Sequence, residues 1–213
     1  GSDAEPLETV KLRAPHDLRN LKRAMSADDF GEIALQTPGV SLHRAYAIAR
    51  RAVDANQNLV TKDGDVTLVV LPKNKEDTPQ PSEAQLRAIC AWLEPRRLIT
   101  TELHITGPKY KKVTKLSGRL QIRAGFDLTA VTDAVYTALV DFFHPIRGGS
   151  DATGWPMGDD IFVGDLYDLI LDMEGVRRAS ELQVWLEGQL ANWTDVIALP
   201  DGHLPVLTRD AIS

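Results

Sequence analysis

The sequence predicts an α+β fold in which duplicated helix-strand units pack amphipathic helices on mixed or antiparallel sheets. Three observations predict it. Ser26-Ala27-Asp28-Asp29 and Ser82-Glu83-Ala84-Gln85 have capping-box spacing and open segments with apolar residues at helical intervals. Runs such as Val66-Thr67-Leu68-Val69-Val70-Leu71, and the alternation after Tyr110, have strand character. Finally, two stretches match later stretches without gaps. Residues 29–40 (DFGEIALQTPGV) align on 165–176 (DLYDLILDMEGV), and residues 82–97 align on 132–147. Units that each bury one helix face on a sheet give a layered α+β architecture.

The 213 residues suffice for one large domain or two small ones, and 43% apolar with 25% charged residues is a globular composition. Residues 1–20 read as an N-terminal arm, with Gly1-Ser2 the remnant of a removed tag. Residues 21–75 form a first α/β unit, and 76–213 a second α/β domain with C-terminal strands. In the first unit, Phe30, Ile33, Ala34 and Thr37 follow the capping box until Pro38-Gly39 stops the helix. Strands are expected at Val40–Ala49 and Asp65–Leu71, with a polar turn region from Gln57 to Gly64. Pro72–Pro81 is linker-like, with three prolines, charge and no apolar side chain beyond them.

The second capping box opens a helix with Leu86, Ile89, Cys90 and Leu93 on one face, so Cys90 is expected to be a small buried hydrophobe. Pro95 ends it. Strands follow at Thr101–Thr106 and Tyr110–Ala124, then an amphipathic helix over 129–143 through Val131, Val135, Leu139 and Phe142. A loop from His144 to Asp160 leads to a short strand at Ile161-Phe162. The next helix carries Leu166, Leu169, Ile170 and Met173, and is capped by Gly175. Strands over Arg177–Leu186, Val196–Leu199 and Leu204–Leu207 complete the chain.

Charge is unevenly distributed along this frame. The net charge is −6, yet residues 96–123 hold eight basic groups against Glu102 alone, whereas residues 124–213 hold four basic and 15 acidic groups. Overall acidity argues against general duplex-DNA binding, which depends on phosphate neutralisation. In the long strand, Leu116, Gly118, Leu120 and Ile122 alternate with Lys115, Ser117, Arg119, Gln121 and Arg123. Period two then puts a basic face, Lys111, Lys115, Arg119 and Arg123, toward solvent, where it suits a complementary protein surface.

The residues offer no catalytic constellation. Cys90 is the sole cysteine, which excludes an internal disulfide and any cysteine-rich zinc or iron–sulfur site. His16, His43, His104, His144 and His203 are scattered without metal-ligand spacing, and a structural role is expected for the strand residues His43 and His104. Arg147-Gly148-Gly149-Ser150 and Gly154–Gly158 lack phosphate-loop spacing, and no G-x-S-x-G occurs. They read as a shaped loop that Trp155 pins to a core. No catalytic, cofactor-binding or metal residue is therefore expected. No apolar run reaches the roughly 20 residues of a membrane helix. Two other readings compete: a metal-dependent hydrolase using the Asp159/Asp160 loop, and a single-stranded nucleic-acid-binding module using the basic strand with Tyr110.

The order of these pieces resembles the baseplate J-like family, wedge proteins of contractile phage tails and related injection systems. The resemblance is carried by Ala27–Ala34 with Pro38-Gly39-Val40, by Pro81-Ser82 through Leu93-Glu94-Pro95-Arg96-Arg97, and by Leu98–Thr101 with Gly107-Pro108-Lys109-Tyr110. It continues in Pro145-Ile146-Arg147-Gly148-Gly149, Gly154-Trp155-Pro156-Met157-Gly158, Ile161, Leu166-Tyr167 and Gly175-Val176. It covers roughly residues 20–186 and implies a carboxy-terminal fragment of a longer protein. It also implies a non-enzymatic wedge component, active in baseplate assembly and sheath attachment, with no cofactor. Expected partners are other wedge subunits and hub or sheath proteins in a hetero-oligomer, with neither membrane nor nucleic acid. Assembly would take place in the bacterial cytoplasm, and the product would lie in the baseplate of a virion or injection particle. The candidate interface is Lys111, Lys115, Arg119 and Arg123 on the strand, with Gly154, Trp155 and Gly158 in the loop.

Overall fold

The computed structural model describes residues 23–56, 58–188 and 195–213; the expected arm over 1–20 lies outside them. The described residues form four α-helices and eight strands in mixed and antiparallel sheets, the α+β arrangement that the patterning predicts. Two compact units emerge. One contains residues 23–41, Ala45–Leu68 and Ser82–Ile105; the other contains Leu42–Arg44, Val69–Pro81 and Thr106–Ser213.

In the first unit, helix α1 (Ala27–Leu35) begins at the predicted box: the Ser26 hydroxyl accepts from the Asp29 N–H, and the Asp29 carboxylate accepts from the Ser26 N–H. Two orphan amides are thereby satisfied. Phe30 and Ala34 are buried. Strands β1 (Leu42–Val53), β2 (Leu59–Pro72) and β3 (Glu102–Thr106) form a sheet in that order. β2 starts at Leu59, inside the expected Gln57–Gly64 turn. The Asp54 carboxylate accepts from the N–H groups of Asn56 and Asn58, so the hairpin closes in fewer residues. Thr61, Lys62, Asp63 and Gly64 of this strand are exposed, so its first half carries no strand-like apolar run.

Helix α2 (Glu83–Leu93) has the second capping box, through Ser82 and Gln85, and packs on α1. Ile89 and Leu93 are buried, and the Trp92 indole donates to the Ile33 carbonyl. Cys90 is exposed, against expectation. Each helical residue advances about 100°, so Cys90 falls outside a stripe centred on Ile89 and bounded by Leu86 and Trp92.

The second unit is built on strand β4 (Lys109–Ile122). It pairs antiparallel with β6 (Val176–Leu186) and parallel with β8 (His203–Leu207) in the order β6-β4-β8. Helices α3 (Leu128–Phe142) and α4 (Val163–Leu171) supply its apolar layer. All four predicted α3 positions, Val131, Val135, Leu139 and Phe142, are buried, as are Leu166 and Ile170 of α4. Strands β5 (Ile161–Phe162) and β7 (Val196–Ile197) form a two-stranded sheet. Pro72–Pro81 is fastened at its end. The Tyr110 hydroxyl donates to the Pro79 carbonyl, and the Gln80 side chain donates to the Pro108 carbonyl.

The self-similarity has a structural counterpart. α1 and α4, the first matched pair, are both nine residues long, and each is followed by a positive-φ glycine, Gly39 at 75° and Gly175 at 87°. α2 and α3 belong to the second matched pair. Each unit therefore holds one helix from each pair.

Gly31 lies on the α1 face against β1, where an added Cβ would sit 2.9 Å from the Ala45 carbonyl oxygen. Alanine normally gains about 1 kcal/mol over glycine within a helix. Here Gly31→Ala is expected to lose about 1–2 kcal/mol instead, because rigid backbone must give way. Urea denaturation of the variant checks this.

Candidate functional site

The outer side of β4 is set by its pairing. The register with β6 slips between Val113 and Lys115, and Val113 and Leu116 are both buried despite their odd and even positions. A bulge of this kind reverses which parity faces inward. Lys115, Arg119 and Arg123, beyond the slip, share the outer side, and all three are exposed. Lys111 precedes it, shares parity with buried Val113, and is half-buried with its ammonium donating to the Glu187 carbonyl at 3.4 Å. The structure therefore brings three of the four predicted basic residues onto one side and sets Lys111 apart.

These cations are held differently. The Lys115 ammonium lies 4.9 Å from the Trp185 ring centroid, a cation–π arrangement. Arg119 pairs with Glu181 at 3.1 Å, and the Arg123 Nε donates to the Val176 carbonyl at 3.1 Å. Exposed pairs of this type contribute about 0–1 kcal/mol, so the fold does not rest on them.

The loop between α3 and β5 is pinned from inside. Trp155 is buried, stacked on Phe143 with 5.4 Å between centroids and 11° between planes, and edge-on to Phe142 at 5.5 Å. Its indole N–H donates to the Asp159 carbonyl, and its own carbonyl accepts from Arg44. Gly154 is buried at φ 105°, and a Cβ there would meet the Pro145 carbonyl oxygen and His43 Nε2. His43 Nε2 lies 2.9 Å from the Thr153 carbonyl. Gly158, at φ 76°, donates its N–H to His203. Gly154 and Trp155 thus shape the loop from beneath, while Asp151, Ala152, Thr153 and Pro156 face outward.

His144 closes the base of this loop. It is 5% exposed; its Nδ1 accepts from the Ile146 N–H at 3.1 Å, whereas Nε2 has no hydrogen-bond partner among the described residues. The Asp77 carboxylate lies 4.0 Å from Nε2. Burial, reinforced by Arg147, holds the His144 pKa below its ordinary value.

Sequence reading missed one cluster, in the first unit. Asp65, 3% exposed, accepts from His104 Nε2 at 2.7 Å and from the Lys62 ammonium at 3.1 Å; Lys62 also bonds Glu102 at 3.2 Å. The His104 hydrogen bond is the main reason that the Asp65 carboxyl titrates below the usual range, with burial opposing and Lys62 reinforcing it. Bonds to both carboxylates raise Lys62. Asp65, Glu102 and His104 are near enough together to ligate a cation, but Lys62 already supplies the positive charge. The i, i+2 spacing of Glu102 and His104 was visible; their apposition to Asp65 required the β2–β3 pairing.

The competing chemistries fare differently. Asp160 Oδ1 accepts from the Leu199 N–H at 2.9 Å, a backbone-capping role. Among the described residues, Asp159 and Asp160 belong to no group of three ligand-type side chains within reach of one ion. Tyr110 is half-buried with its hydroxyl engaged by Pro79, and burial raises its pKa. Its ring is therefore a poor platform for an unstacked base.

No family model and no curated protein matches the chain. Among solved structures it is similar to a chain of the six-fold symmetrised cryo-EM structure of the anti-feeding prophage baseplate. The TM-score is 0.65 and the identity 14%, over 97% of this chain and 42% of that one. The two share a fold, and the chain spans less than half the length of that baseplate chain. Among the described residues no helix is long and apolar enough to cross a membrane.

A histidine held neutral by burial stabilises the fold above its unfolded pKa, near 6.5, and this contribution is lost as pH falls, because the unfolded state takes up the proton more readily. The urea midpoint should therefore decline between pH 7.5 and 5.5. His144→Asn, which keeps an acceptor for the Ile146 N–H, should flatten that decline. Midpoints at the two pH values for both proteins provide the check.

Proposed function

We propose that the chain is a structural subunit of the baseplate of a phage-tail-like particle, joining its neighbours through outer faces and catalysing no reaction. The observation that carries this reading is the fold likeness, which extends over 97% of the chain. The sequence motifs quoted above support the finer reading, a baseplate J-like wedge component acting in baseplate assembly and sheath attachment. Its partners would be further wedge, hub or sheath subunits. It would be assembled in the bacterial cytoplasm into the baseplate of a virion or injection particle.

The β4 outer side is the face we assign to a neighbour. Lys115, Arg119 and Arg123 recur at four-residue intervals on one exposed strand side, and their chain segment is the basic one in an otherwise acidic protein. Such a stripe guides encounter with an acidic surface and fixes register, while apolar contacts supply most of the affinity. The exposed loop residues 151–153 and Pro156 provide a second surface, with Gly154, Trp155 and Gly158 holding its shape. Lys111 contributes less, because its ammonium is turned to Glu187.

Changing Lys115, Arg119 and Arg123 together to Glu is expected to cost at most about 1–2 kcal/mol of stability. It should also reduce particle yield at least about tenfold on co-expression with the other baseplate genes. Electron microscopy of particles, alongside circular dichroism of the isolated chain, reads both effects. Normal particles from a folded triple variant would refute the assignment.

A further inference from the structure

Asp65, Glu102 and His104 form a set of converging donors. Glu102 and His104 stand two residues apart on β3, so both side chains leave the same side of the strand. The neighbouring strand β2 brings Asp65 to them. One imidazole nitrogen and one oxygen from each carboxylate all lie within 4.8 Å of one another. These three residues and Lys62 all belong to the first unit.

Lys62 marks where positive charge is held. Its ammonium stands between the carboxylates, 3.1 Å from Asp65 Oδ2 and 3.2 Å from Glu102 Oε2. Lys62 and Asp65 have opposite strand parity. They share a side because Gly64, between them, takes φ 85° and interrupts the alternation. One ammonium against two carboxylates leaves a negative charge unbalanced, beside an Asp65 that is 3% exposed. A doubly charged cation in the ammonium's place balances both. Lys62 can make way for it, since its side chain is 53% exposed and its stem is flexible.

The spacing suits a small transition-metal ion. Zinc bonds of about 2.0–2.2 Å set tetrahedral ligand atoms roughly 3.4 Å apart. His104 Nε2 lies 2.7 Å from Asp65 Oδ2 and 4.0 Å from Glu102 Oε1, so each separation must change by less than about 1 Å. The imidazole would ligate through Nε2 with its proton on Nδ1. A ring nitrogen among the donors disfavours magnesium and calcium, which take oxygen ligands. Glu102 is on the exposed rim, where water can take the fourth position.

We propose that Asp65, Glu102 and His104 bind a divalent transition-metal ion of the zinc class, which displaces the Lys62 ammonium and ties β3 to β2. The inference does not depend on the subunit reading, and the isolated chain suffices to test it.

The experiment is a calorimetric titration of the whole chain with zinc in chelator-free buffer. The wild type should take up one zinc ion at this site. His104→Gln and Glu102→Gln should each weaken that binding at least about tenfold. Lys62→Met should tighten it at least about threefold by removing the competing cation, an effect that a purely structural lysine would not have. Magnesium should not compete. NMR of the ring nitrogens should show zinc moving the His104 Nε2 resonance while Nδ1 stays protonated. Glu102 is exposed, so its variant decides the matter if circular dichroism shows His104→Gln unfolded. Four results would overturn the proposal: no zinc uptake by the wild type, undiminished uptake by the Gln variants, unchanged or weaker binding by Lys62→Met, or equal binding of magnesium.

Discussion

The second unit depends on the pairing of one strand. β4 is 14 residues long and lies between β6 and β8, antiparallel to one and parallel to the other. Its inward residues Val113 and Leu116 are almost wholly buried, together with Val135 and Leu139 of α3 and Ile170 of α4. The same strand turns Lys115, Arg119 and Arg123 to solvent. Core and candidate interface are two sides of one backbone, so the register that buries the leucine also aims the cations. The bulge before Lys115 decides which basic residues share a side.

Much of this was legible from periodicity. The α3 stripe was readable because Val131, Val135, Leu139 and Phe142 follow a 3.6-residue repeat over about three turns. Both capping boxes were readable because their chemistry is local. Whatever depended on a partner strand or helix was not. Cys90 sits within a helical pattern, but how wide a face α1 would cover is a tertiary fact. Lys111 fits a period-two pattern that a one-residue slip interrupts. The Asp65–His104 bond joins residues 39 positions apart, and nothing at either position announces the other. Pro72–Pro81 has a linker's composition, yet Tyr110 and Gln80 fasten its end.

The candidate surfaces and the buried polar groups have different roles. Asp65, His104 and Lys62 form a satisfied network across adjacent strands, which suits a role in holding strand order. His144 is a buried polar group with one nitrogen unmatched among the described residues; such a group costs stability even when neutral and more when charged. Trp155 anchors its loop by stacking on Phe143, and Gly154 permits the close approach that lets it do so. These contacts fix the shape of the loop whose residues 151–153 and Pro156 are exposed.

The most direct measurement is peptide-level hydrogen exchange of the chain, free and within purified particles. If the molecule is a building block that joins neighbours through β4, exchange over residues 115–123 should slow markedly on assembly. The Asp65–His104 region should change little. Particles that contain the chain but leave residues 115–123 exchanging as in the free protein would contradict the account.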